Sequence, residues 1–154
     1  MVRTLKAFVP SVLLAYVLAS MLATHSNLGN LQMLGMEVGL GDRLGTTFHD
    51  LIGMATSYLP LIFGAFVLGL PVASGLAKRM PQHRALLYAL AGFTAVVALH
   101  LIMRAVLGLT PVAATRTTAG LIGQGAAGAI GGLCFHRLSR PRATPACIKH
   151  GGNP

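Results

Sequence analysis

Two imidazoles, two guanidiniums and a carboxylate stand where one site could use them: His49, Asp50, His100, Arg104 and Arg116. His100 and Arg104 are four residues apart, which on a helix puts both on one face. Three kinds of chemistry are open to such a set. As a clamp, Asp50 and Arg104 neutralise each other and fix two helices together. As a binding site for an anionic or zwitterionic head group or small solute, Arg104 and Arg116 supply charge-assisted donors. As a cation or proton site, His49, Asp50 and His100 offer ligands or carry protons. Spacing weighs against the third use. His49 and Asp50 are adjacent, so they point about 100° apart on a helix, and no HxxxH or HExxH pattern occurs.

Composition says what must position these residues. Of 154 residues, 54% are apolar and 10% charged, whereas about a quarter are charged in a soluble domain. With a mean hydropathy of +0.69, the chain reads as an integral membrane protein. The gaps between charges mark the spans: Lys6 to Glu37 leaves thirty uncharged residues, Asp50 to Lys78 twenty-seven, Arg84 to Arg104 nineteen and Arg116 to Arg137 twenty. About 20 apolar residues cross the hydrocarbon core as a helix, so each gap holds one crossing. The expected fold is all-α: a compact bundle of four transmembrane helices near residues 8–25, 51–77, 85–107 and 117–136. These form one domain over 1–136, followed by a basic, disordered tail over 137–154.

Lysines and arginines set the orientation. With a cytoplasmic N-terminus, Arg3, Lys6, Lys78, Arg79, Arg84, Arg137, Arg140, Arg142 and Lys149 fall inside, and only Arg43, Arg104 and Arg116 outside. That asymmetry places both termini in the cytoplasm. It also accounts for the net charge of +9 through anionic lipids at the cytoplasmic side, with no nucleic-acid partner. Arg3 and Lys6 followed by an apolar run and Val17-Leu18-Ala19 or Met21-Leu22-Ala23 also fit a cleaved signal peptide. An uncleaved first span is the preferred reading, because the chain stays apolar through Leu34.

All three carboxylates, Glu37, Asp42 and Asp50, then fall in the outer loop. His25-Ser26-Asn27 is expected to end the first span, and Asn30 to Leu34 to form a short interfacial turn broken by Gly35, Gly39 and Gly41. After that, Leu40, Leu44, Phe48, Leu51 and Ile52 make an apolar stripe, with Asp42, Thr46, His49, Asp50, Gly53 and Ser57 opposite: an amphipathic outer-face segment leading into the second span. Asp42 suits the positive end of its helix dipole. Arg104 lies about 30 Å along its helix from Arg84. Asp50 should reach a similar depth if Pro60 and Pro71 kink or tilt the second span, so an Asp50–Arg104 pair is the expected clamp.

In the fourth span, Gly120, Gln124, Gly128 and Gly132 form one four-residue row, and Ala119, Gly123, Ala127 and Gly131 the next. Small residues at this spacing bring helix backbones together. The row Ala65, Gly69 and Ala73 of the second span is the expected partner, ahead of a second copy of the chain. Gln124 should make an interhelical hydrogen bond worth about 0.6 kcal/mol. Cys134, His136, Cys147 and His150 match the ligand count of a zinc site, but Cys134 and His136 point about 200° apart on a helix, so no metal and no cofactor are expected. Phosphate-binding glycine loops and GxSxG elbows are missing, and the first span lacks the glutamate that marks small multidrug-resistance transporters.

LGDRLGTTFHDLIGM, a proline-interrupted span, and RAVLGLTPVAATRTTAGLIGQGAAGAIGG together resemble small, uncharacterised four-span inner-membrane proteins of bacteria. The resemblance covers roughly residues 10–135 and implies architecture and compartment, with no activity attached. The expected role is therefore a non-enzymatic packing or partner protein of the inner membrane, acting on a membrane-protein partner or a second copy. A small permease or lipid- or solute-binding protein with an outer-face polar site is the main alternative, and metal or proton handling the next.

Overall fold

The computed structural model describes residues 2–33, 35, 39–108 and 112–140. They form five helices: α1 (Val2–Met33), α2 (Leu40–Gly53), α3 (Ala55–Arg79), α4 (Arg84–Leu107) and α5 (Thr118–Ser139), with short 3-10 turns at Pro81–His83 and Ala113–Arg116. Four stretches, Thr4–Gly29, Ala55–Arg79, Pro81–Val106 and Thr118–Ser139, are long and apolar enough to cross a membrane, as a multi-pass membrane protein requires.

Local chemistry sets the boundaries. His25-Ser26-Asn27 does not end α1: Ser26 donates its hydroxyl to the Leu22 carbonyl at 2.9 Å, which satisfies it within the helix, and the helix runs on to Met33. Gly41 lies inside α2 and does not break it, while Gly39 precedes it and donates its N–H to Asp42 in the first turn at 3.3 Å. The second span begins at Ala55, beyond the expected residue 51, because α2 stops at Gly53, a poor helix former. Gly108, at φ +64°, closes α4 with an N–H donated to the Arg104 carbonyl, the left-handed cap that glycine adopts without strain. Thr117 caps α5 by accepting from the Gly120 N–H at 3.1 Å. The expected tail begins later than residue 137, since α5 continues through Ser139; residues 141–154, and Glu37 in the outer loop, lie outside the described residues.

Side-chain rows four residues apart fill the interior. On α1 the buried row is Ala7, Ser11, Ala15, Ala19 and Ala23; on α3 it is Tyr58, Ile62, Phe66 and Leu70; on α4 it is Tyr88, Gly92, Val96 and His100. The small rows of α5 meet α4 and α1, not the expected Ala65-Gly69-Ala73 row. A Cβ at Gly128 would overlap the Gly92 carbonyl, one at Gly132 the Tyr88 carbonyl, and one at Gly131 would come within 2.9 Å of the Ser11 carbonyl oxygen. Gly120 abuts the Ala114 carbonyl of the preceding turn, whereas Gly123 has only Leu22 nearby, at 3.8 Å. Gly69 packs instead on Ala91 and Ala95 of α4. The reason is size: α3 brings Phe66 and Ile62 to the interior, too bulky for backbone contact, while α1 and α4 present alanine, serine and glycine.

This packing separates two glycines that look equivalent in the sequence. Gly128→Ala is expected to cost about 1–3 kcal/mol through overlap with the α4 backbone. Gly123→Ala, with room for its methyl group, should be neutral or stabilising. Thermal melts of the two purified variants check the contrast.

Candidate functional site

The polar interior is assembled one helix at a time. On α1, Tyr16, Ser20 and Thr24 recur every four residues as a single polar row on an apolar helix, and each is at most 3% exposed. The row receives α2 and its junction with α3. Tyr16 donates its hydroxyl to the Leu51 carbonyl, the Ser20 hydroxyl faces the Met54 sulfur at 4.0 Å, and Thr24 donates to Asp50 Oδ2 at 3.0 Å. Thr24 also lies 3.1 Å from the Ser20 carbonyl, so its one proton serves two acceptors. These contacts tie the last turn of α2 to α1 at the point where the chain turns into α3.

Deeper in, one chain of hydrogen bonds crosses all four spans. His100 Nδ1 stands 2.8 Å from the Val96 carbonyl one turn back on α4, which makes that nitrogen the protonated one. Its Nε2 is 3.1 Å from the Tyr58 hydroxyl of α3. Tyr58 also reaches Gln124 Oε1 of α5 at 3.0 Å, and Gln124 Nε2 donates to the Ala19 carbonyl of α1 at 3.0 Å. The Ala19 contact fixes the amide orientation: flipped, it would set two oxygens against each other. With neutral His100, the single Tyr58 proton therefore faces two acceptors, Nε2 and Oε1. Gln124 is 0% exposed, Tyr58 3% and His100 5%, so water does not supply the missing partner from the surface.

Among the described hydrogen bonds, none joins two of the five residues singled out in the sequence. His100 enters the deep chain through Tyr58, and Asp50, half-buried, joins the α1 row through Thr24. His49, Arg104 and Arg116 are exposed. Among the described residues no ion pair joins Asp50 to Arg104, so the expected clamp gives way to a neutral donor. A hydroxyl one helix away matches a half-buried carboxylate without desolvating a guanidinium. Gln124 does make the expected interhelical bond, on α1 and α3. Tyr16, Ser20, Thr24 and Tyr58 carry no charge, so the spacing of charges does not point to them. The signal was present in the four-residue polar row of α1.

Chemically, this arrangement joins helices. Among the described residues, the only buried side-chain nitrogens or oxygens with no partner are the two of His136, on α5 beside Tyr88. Neither of the two large grooves, between α3 and α4 and at the basic end of the helices, is lined by Tyr58, His100 or Gln124. No family model, curated protein or solved structure matches this chain.

Loss of the shared donor should show directly. Tyr58→Phe leaves two acceptors without a proton and is expected to cost about 1–2 kcal/mol. Gln124→Leu should cost a similar amount, and the double variant should cost less than the sum, measured by chemical denaturation in detergent. Arg104→Gln, outside the chain of bonds, should stay within about 0.5 kcal/mol of wild type.

Proposed function

We propose that this protein is a non-enzymatic component of the bacterial inner membrane that packs against a membrane-protein partner. In this reading its four spans form one compact bundle with both termini in the cytoplasm. The charge distribution supports the orientation: Thr4, Ser74, Arg84 and Ser139 border one groove, so the start of α1, the end of α3, the start of α4 and the end of α5 share the end that collects most lysines and arginines.

What carries the partner role is α2. It is held at its C-terminal end by Asp50 and Leu51 on α1, yet none of its residues is fully buried. Leu40, Leu44, Phe48 and Ile52 are 69–82% exposed and form one stripe along it. A firmly anchored helix that spends its apolar face on nothing within its own chain is built to present that face. The polar interior is consumed in joining helices, which supports a reading in which the protein acts through its surface.

Photocrosslinking in native membranes tests this. A photoreactive residue at Leu44 or Phe48 is expected to yield a discrete protein adduct. The same probe at Leu68 or Val72 on α3, equally exposed and apolar, should give lipid adducts only. Lipid adducts alone at all four positions would refute the partner role.

A further inference from the structure

The groove between α3 and α4 is lined by small and aliphatic groups such as Leu68, Gly69 and Ala95 and offers little to select a ligand. The other groove, about 480 Å³, is graded in polarity. Phe63, Val67 and Leu70 wall one part; Thr4, Ser74, Arg84 and Ser139 wall the other. Along α3, Phe63 and Ser74 are about 16 Å apart, roughly half the hydrocarbon thickness, so the apolar part reaches toward mid-membrane while the polar part lies at the basic end. Its volume falls within the range of small-molecule sites, about 300–1,000 Å³.

Two observations name the ligand class. The hydroxyl of Tyr88, whose side chain forms part of the wall, has no hydrogen-bond partner among the described residues and, unlike the nitrogens of His136, is not sealed off. Behind it, His136 packs at a ring separation of 5.5 Å. The only described carboxylates are Asp42 and Asp50, both on α2 at the opposite end. Arg84 thus lines the polar end of an apolar groove, at the end of the helices that also carries Lys78, Arg79, Arg137 and Arg140 and, among the described residues, no carboxylate, an arrangement complementary to a net-negative head group on a hydrocarbon chain.

We propose that this groove seats one acyl chain of an anionic phospholipid, with its phosphate against Arg84 and the Tyr88 hydroxyl as a neutral donor. The site is independent of the partner role of α2. It is tested on the full chain, delipidated in detergent and offered phosphatidylglycerol or phosphatidylcholine, with retained lipid counted by native mass spectrometry. Wild type is expected to retain phosphatidylglycerol in preference to phosphatidylcholine. Arg84→Gln should lower that retention about tenfold, the scale of one charge-assisted contact. Val67→Trp, which fills the apolar part without touching charge, should lower retention of both lipids, whereas Arg104→Gln at the far end should change neither. Equal retention of the two lipids by wild type would overturn the proposal whatever the variants do. So would undiminished retention in a folded Arg84→Gln, or an equal loss in Arg104→Gln.

Discussion

Inside a membrane, water does not rescue an unmatched amide, so a buried glutamine requires the protein to supply partners for both of its ends. Gln124 meets that requirement with the Ala19 carbonyl on one side and the Tyr58 hydroxyl on the other, and Tyr58 brings in His100. One side chain therefore constrains the spacing of α1, α3, α4 and α5. Bonds of 3.0 Å to a backbone carbonyl form only if helices approach closely, and the rows of alanine, serine and glycine on α1, α4 and α5 permit that approach. Small rows and polar chain depend on each other. The rows bring the backbones together, and the hydrogen bonds select the register in which they lock.

The same economy governs charge. This chain has twelve lysines and arginines but three acidic side chains. Among the described residues Asp50 forms no ion pair; its carboxylate accepts from a threonine and so anchors α2 to α1. The remaining apolar face of α2 and the groove beside Arg84 lie at opposite ends of the helices.

Much of this architecture was legible in the sequence. Long gaps between charges locate helices by hydrophobicity alone, and the apolar stripe from Leu40 to Ile52 announces α2. Gln124 and the glycines of α5 were recognisable as contact residues because only close packing explains them in a helix. Their partners were not, since a row of small residues fits any other row of small residues; Phe66 and Ile62, facing inward on α3, decide the matter only in three dimensions. The site was legible in part. His100 and Asp50 stood out as ionisable residues, but neutral hydroxyls satisfy them, and a tyrosine or threonine in an apolar span attracts no notice until its four-residue recurrence is counted. The boundary at His25-Ser26-Asn27 is not legible for a related reason: serine bonded to its own helix costs little, and polarity alone does not stop a helix.

Gln124 is sealed in the interior and held at both ends. Solid-state NMR of the protein in bilayers, following hydrogen–deuterium exchange of the Gln124 side-chain amide, tests it most directly. The Gln124 amide protons are expected to persist long after those of the exposed Gln82 have exchanged. Exchange of both side chains at the same rate would contradict it.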